Sequence, residues 1–369
     1  MPDKTTAEIE ALIKSGEIRA ITMDTSIFDK FGCNLEYKSL TVVEQFKGKH
    51  IDFLLTPVTV GEVRSHIAKQ VGEAREKASS GINQFLKAVR SKDDLQKILG
   101  DVGLDIDPSE AAGEMVDAFT EKVGATIIDQ QATSDELLAL YFGVKPPFGK
   151  STEKKSEFPD AIALISLEKW AEHNDTLVLV VSRDGDWQSY AAGSEQLICI
   201  NDLSSALSLF NADERVIAAR IASAIKNQSA ASLSKTIESR LESYIEDFDV
   251  EASAAYYYDY ENNGAVVTRW EFEDVDSIVV VDSDDDEVTL SFELWVEAEF
   301  EVGFSFSMRD SIDRDYVSIG STYATQSAEF SVTAVATFYK SNDRDPEPID
   351  LEIEGRGIRV DFGDVGPDW

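Results

Sequence analysis

Cysteine is almost missing from this 369-residue chain: Cys33 and Cys199 are its two, and neither sits in a CxxC pair or beside a histidine at zinc spacing. No disulfide framework or zinc module is therefore legible, and both thiols read as buried side chains. Histidine is nearly as scarce. His50, His66 and His173 are scattered, so no histidine-centred catalysis is expected. Long apolar runs are missing too. Stretches such as 177–181 fall far short of the ~20 residues a membrane-spanning helix needs. The start MPDKTTAEIEALIKSGEIRA lacks the basic, apolar and small-residue succession of a secretory signal. A cytoplasmic protein with no membrane partner is the expectation. The last shortage is of positive charge: 34 Lys+Arg face 70 Asp+Glu, a formal net charge of −36. Phosphate binding is driven by basic side chains that release counterions, so this balance argues against nucleic acid. Its distribution weakens the objection. Residues 251–369 hold 29 acidic against 7 basic side chains, and residues 1–250 hold 41 against 27. A divalent cation bound by some of that N-terminal acid would supply the positive charge the composition lacks.

What is present is enough apolar content, 43%, for real cores, and a length that suits two or three domains. Residues 1–205 alternate extended apolar segments with amphipathic ones, the pattern of a parallel sheet covered by helices. Strands are expected at 18–23, 51–55, 177–181 and 196–200. Helices are expected at 6–14, at 37–46, from about Gly61 onward and over PDAIALISLEKWAEH, while 125–128 fits either state. The stretch of about 70–130 reads as helical, and TLVLVVSRDGDW reads as a buried strand running into a turn. Residues 206–249 read as a helical connector. From 250 to 369, strict alternation in VTLSFELWVEAEFEV and AEFSVTAVATFY predicts an acidic, all-β antiparallel domain, with VDSDDDE and KSNDRDPEP as turns. Its inward side would carry Phe292, Leu294, Val296, Ala298 and Phe300, leaving Glu293, Trp295, Glu297, Glu299 and Glu301 outward.

Four acidic positions carry the chemistry. Asp24 follows the first apolar strand, and residues at the carboxyl ends of strands in an open parallel sheet line the crevice where ligands bind. Taken alone, it reads more simply as the N-cap of the next helix. Glu62 comes just inside the helix after PVTVG, where a carboxylate also gains from the helix dipole. Asp160 stands behind Pro159 in the first turn of a helix whose buried face is Ala161, Leu164, Ile165 and Leu167. Asp184 and Asp186, in VVSRDGDW, follow another buried strand. Two strand ends and two helix starts thus deliver acids toward one edge of one sheet, more than capping alone accounts for. Oxygen donors without cysteine or histidine select hard divalent cations, and Mg²⁺ held by a few carboxylates keeps several waters. Without a cation such acids repel one another, which should raise some of their pKa values. Lys154, Lys155, Arg64 and Arg183 are candidate phosphate contacts or, equally, solvated side chains.

Strand-DTS at Asp24, the helix-entry Glu62, FPDAI at Asp160 and the strand-S-x-D of Ser182 and Asp184, with Asp186 close behind, resemble the PIN domain in order and element type over about residues 15–205. The PIN domain is a compact nuclease module with a parallel-sheet α/β/α fold. The resemblance implies that Asp24, Glu62, Asp160, Asp184 and Asp186 hold Mg²⁺ or Mn²⁺ and that phosphodiester bonds, usually of RNA, are hydrolysed. It further implies that Ser182 orients an acidic side chain and, by analogy with bacterial relatives, a toxin or phage-defence role.

Glu62 and Asp160 lie 98 positions apart, more than a minimal PIN module needs. The helical insertion of about 70–130 accounts for the excess, as a lid, a clamp, an interaction surface or plain packing. The acidic β domain would repel nucleic acid and reads as a surface for a protein partner or inhibitor; an oligomer is compatible with the same features. Other readings stand beside this one: a binding or scaffold protein whose acids no longer catalyse, and a nuclease acting on DNA. A haloacid-type hydrolase with Asp24 as nucleophile is a further alternative, but it wants a second aspartate where Ser26 stands.

Overall fold

The computed structural model describes residues 4–89, 95–149, 157–309, 316–340 and 345–368. The chain divides into two compact units, Met1–Phe210 and Asn211–Trp369.

The first unit runs α1 (Thr6–Ser15), β1 (Ile18–Met23), α2 (Thr25–Lys30), α3 (Lys38–Thr41), β2 (Asp52–Leu55), α4 (Pro57–Ala88), α5 (Leu95–Asp101) and α6 (Pro108–Val123). It continues through β3 (Thr126–Ile127), α7 (Ser134–Gly143), α8 (Phe158–His173), β4 (Leu177–Val181), α9 (Gly185–Gly193), β5 (Leu197–Ile200) and α10 (Leu203–Phe210). The five strands form one parallel sheet in the order β3-β2-β1-β4-β5. Strand β4 is apolar throughout, and β1 from Ala20 to Met23 is apolar apart from Thr22, because both faces of the sheet are covered there, with Ala20–Met23 and 178–181 fully buried. Helix α8 covers one face, packing Ala163, Leu164, Leu167 and Ala171 into one core with Ala20, Val178 and Val180. The chain leaves β1 toward β2 and β3, then crosses to β4 and β5 on the other side. The crevice of such a sheet opens at that reversal, between the ends of β1 and β4.

Two local expectations are corrected and an open one is decided. Helix α4 begins at Pro57, about a turn earlier than Gly61, because Thr56 caps it by accepting the Thr59 N–H and Pro57 fills the first helical position. Glu62 therefore lies in the second helical turn rather than the first. The segment read as a turn after β4 contains helix α9, which Asp184 caps. Within the insertion, residues 125–128 include the edge strand β3. Helix α6 buries Ala112, Val116, Phe119 and Val123, and the Phe119 ring meets Phe28 of α2 edge-on at 5.9 Å, so this part of the insertion is packed rather than a free lid.

The second unit runs α11 (Arg215–Lys226), α12 (Ala231–Ile245), β6 (Phe248–Ala254), β7 (Tyr257–Phe272), β8 (Val279–Ser283), β9 (Glu287–Arg309), β10 (Tyr316–Tyr339), β11 (Asp350–Glu354) and β12 (Ile358–Val365). Strands β11, β10, β9 and β7 form an antiparallel sheet in that order, and β8 also pairs with β9. Along β9 the even-numbered residues from Val288 to Phe306 are buried, as the alternation predicts. Residues 206–249 do not form a separate connector. Helices α11 and α12 lay Ile221, Leu233, Ile237 and Leu241 on the sheet, against Leu290, Phe292 and Leu294. Farther along β9, Phe300, Val302 and Phe304 pack with Phe248, Ile358 and Val360 of a parallel β6–β12 pair. Among the described residues, no helix is long and apolar enough to cross a membrane.

Candidate active site

Met23 stands opposite Val181 in the parallel pairing of β1 with β4, so the residues that follow these strands leave the sheet side by side. The Asp24 N–H donates to the Val181 carbonyl at 2.9 Å. The Ser182 hydroxyl donates to Asp24 Oδ2 at 2.9 Å and accepts the Asp184 N–H at 3.1 Å, which ties the two strand-end acids together. Both acids also cap helices: Asp24 accepts the Ser26 N–H at 3.3 Å, and Asp184 accepts the Asp186 N–H at 2.7 Å. Capping is thus part of their role. Burial nevertheless pushes the Asp24 carboxyl above its usual range, against the pull of its hydrogen bonds from Ser26, Ser182 and the backbone.

Glu62 Oε2 accepts the Thr25 hydroxyl at 2.6 Å, which fixes it beside the start of α2. Asp160, in the first turn of α8, accepts the indole N–H of the buried Trp187 at 2.7 Å. The Asp160 carboxyl is pushed up to about 7. Burial is the main cause; the Trp187 hydrogen bond opposes it, and the negative charges of Asp24, Glu62 and Asp184 add to it. Asp160 therefore feels the other three acids, delivered by β1, α4 and β4. Asp186 is raised by burial, by Asp184 and by Glu157, and lies toward the rim.

Within the described residues none of these five carboxylates is ion-paired. An all-oxygen cluster, partly buried and short of positive charge, fits a hard divalent cation. No three of its acids, among the described residues, bring ligand atoms all within 4.8 Å of one another. Oxygens bound directly to one Mg²⁺ stand at most about 4.2 Å apart, so no three of these acids meet one ion directly as they stand, and the others would reach it through its bound waters.

Residues 21–187 match the PIN domain family. The chain carries a PIN domain. The match begins in β1 and ends at Trp187, so it spans every acid of the site. No curated protein and no solved structure matches the chain. A PIN domain has a nuclease-like fold and generally depends on divalent metal.

One candidate substrate contact of the PIN domain, Arg64, is turned away from the acids. Arg64 lies two residues beyond Glu62, roughly 200° around the helix from it. Its guanidinium pairs instead with Asp117 of α6. The Arg183 side chain is exposed, and its backbone N–H donates to the Ser26 hydroxyl at 3.0 Å. Lys154 and Lys155 lie outside the described residues. Conversely, Thr25 and Trp187 orient acids of the site and went unnoticed in the sequence. Thr25 belongs to the DTS element itself, and Trp187 lies one helical turn beyond Asp184. The fold also gathers Asp29, Cys33 and His66, whose spacing along the chain shows no metal pattern.

Proposed function

We propose that the chain is a divalent-metal-dependent endoribonuclease of the toxin or phage-defence kind that the family resemblance implies. The observation that carries the nuclease reading is the Asp160 carboxyl at about 7, held there by burial and by three unpaired acids around it. Such an arrangement is unfavourable in an empty scaffold and is relieved by a cation. Asp24, Glu62, Asp160 and Asp184 would hold Mg²⁺ or Mn²⁺, with Asp186 at the rim. A bound divalent ion activates water and stabilises the leaving oxygen of an in-line phosphodiester displacement.

The chain's own residues supply the positioning. Ser182 keeps the Asp24 and Asp184 carboxylates in register, Thr25 holds Glu62, and Trp187 aims Asp160 while favouring its ionised form. Mixed RNA and DNA substrates incubated with Mg²⁺ or Mn²⁺ test the reading, beside Asp24→Asn and Asp160→Asn. Cleavage of RNA lost in both variants supports it; cleavage equal in all three proteins refutes it, and cleavage confined to DNA moves the substrate class.

For the second unit we propose a surface for a protein partner or inhibitor, supported by Glu299 and Glu301 exposed on the outer side of β9 with Glu297 half-exposed between its neighbours. Joint substitution of these three by Gln should change the cleavage rate of the full chain or its retention of an added basic protein. No change in either measurement removes this role.

A further inference from the structure

Helices α2 and α4 are joined by two rungs one helical turn apart. The first is Thr25 to Glu62, which belongs to the acidic site. The second, four residues on in both helices, is Asp29 to His66, with Oδ1 and Nδ1 2.8 Å apart. Cys33 closes on the same rung. Its backbone takes the left-handed conformation, φ 55°, uncommon for a residue other than glycine, and its Sγ lies 3.5 Å from Asp29 Oδ1. One ligand atom from each of the three residues lies within 4.8 Å of the others. Around a tetrahedral ion with bonds of about 2.0–2.3 Å, ligand atoms stand roughly 3.3–3.7 Å apart, so the trio needs only small side-chain adjustments to meet one ion. The thiol is buried, whereas His66 and Asp29 keep 43% and 41% of their side-chain surface, which leaves an approach from solvent and a fourth position for water.

We propose that Asp29, Cys33 and His66 form a second cation site, selective for zinc over magnesium, that clamps α2 to α4 one turn from the acidic cluster. The donor set decides the metal: thiolate and imidazole suit zinc, whereas the neighbouring all-oxygen site suits magnesium. Binding takes Asp29 as carboxylate, His66 neutral and Cys33 as thiolate, its proton passing to solvent, so affinity rises with pH. Cys199 is no rival donor, because among the described residues no two other ligand residues gather with it as Asp29 and His66 do with Cys33. The clamp does not depend on nuclease activity. It fixes the backbone that carries Glu62 relative to the segment that carries Asp24.

The test uses the full chain, reduced, stripped with chelator, loaded with Zn²⁺ or Co²⁺ and freed of excess metal. About one equivalent should remain, and the cobalt form should show a thiolate-to-metal charge-transfer band. Both should persist in Cys199→Ser and in the Asp24→Asn/Asp160→Asn double variant, and both should be lost in Cys33→Ser and in the half-exposed His66→Asn, with zinc affinity down at least ~10-fold. Circular dichroism of the metal-free variants separates lost ligation from lost folding. Metal that stays in Cys33→Ser or His66→Asn, that leaves in the double variant, or that gives no thiolate band overturns the assignment.

Discussion

Trp187 donates its indole N–H to Asp160 across 2.7 Å, joining the first turns of two helices that start 27 residues apart in sequence. The bond is the one contact that lowers an otherwise strongly raised carboxyl. Trp187→Phe keeps an aromatic side chain, smaller than the indole, and deletes the donor. Asp160 should then titrate still higher, and cleavage at neutral pH should fall by about 10- to 100-fold, as for other groups that orient metal ligands. A pH–rate profile displaced to higher pH is the expected signature; a profile that does not move means the indole merely fills space.

Metal and pH should act on stability in opposition. The ordinary carboxyl value for Asp160 is 3.8, and in the fold it is about 7. The folded state therefore binds this proton more tightly than the unfolded chain does. The stability gained is complete below the unfolded value and is lost as pH rises through about 7. Melting of the metal-free protein should occur at lower temperature at about pH 8 than at about pH 5, and excess Mg²⁺ should restore more at the higher pH, where the acid is free to bind it. Asp160→Asn lacks this component. Equal Mg²⁺ shifts at both pH values would count against a cation held by Asp160.

Asp24→Asn and Asp160→Asn should separate activity from stability. Asp24→Asn removes a buried negative charge and Asp160→Asn a buried one repelled by its neighbours, so each metal-free variant should melt at or above the unsubstituted protein. Cleavage should meanwhile drop by ~100-fold or more, as when charge-stabilising groups are removed from other active sites. A variant that loses activity only because it unfolds would show the reverse order of melting temperatures.

Arg64→Ala should leave cleavage within about twofold. Its guanidinium is engaged with Asp117, and an exposed pair of this kind contributes little, ~0–1 kcal/mol. A large rise in KM for RNA would restore Arg64 as a substrate contact.

The strand order of residues was more legible than the facing of side chains. Asp24 and Asp184 follow apolar runs that can only be buried strands, so their delivery to one sheet edge is readable from the sequence. Arg64 is close to Glu62 in sequence but not in facing, because two residues along α4 turn a side chain to the opposite side. Helix α9 was hidden by Gly185, a poor helix former that here occupies the first helical position, where capping by Asp184 outweighs propensity. Asp29, Cys33 and His66 could not be found from spacing, since their meeting depends on how α2 lies on α4. Helices α11 and α12 looked like a connector because the amphipathic pattern of a helix does not say which sheet will cover it.

The pairing of β1 with β4 has a temporal consequence. The hydroxyl of Ser182 and the carboxylate of Asp24 meet across 158 residues of sequence, with β2, β3 and the seven helices α2 to α8 made first. Contacts this distant form late, because the loop entropy must be overcome before they stabilise anything. While the chain is being synthesised from its amino terminus, Asp24 and Glu62 emerge early and wait without their partners. The acidic site therefore cannot be complete until β4 has been made, and a product truncated ahead of β4 keeps Asp24, Glu62 and Asp160 but lacks Ser182 and Asp184.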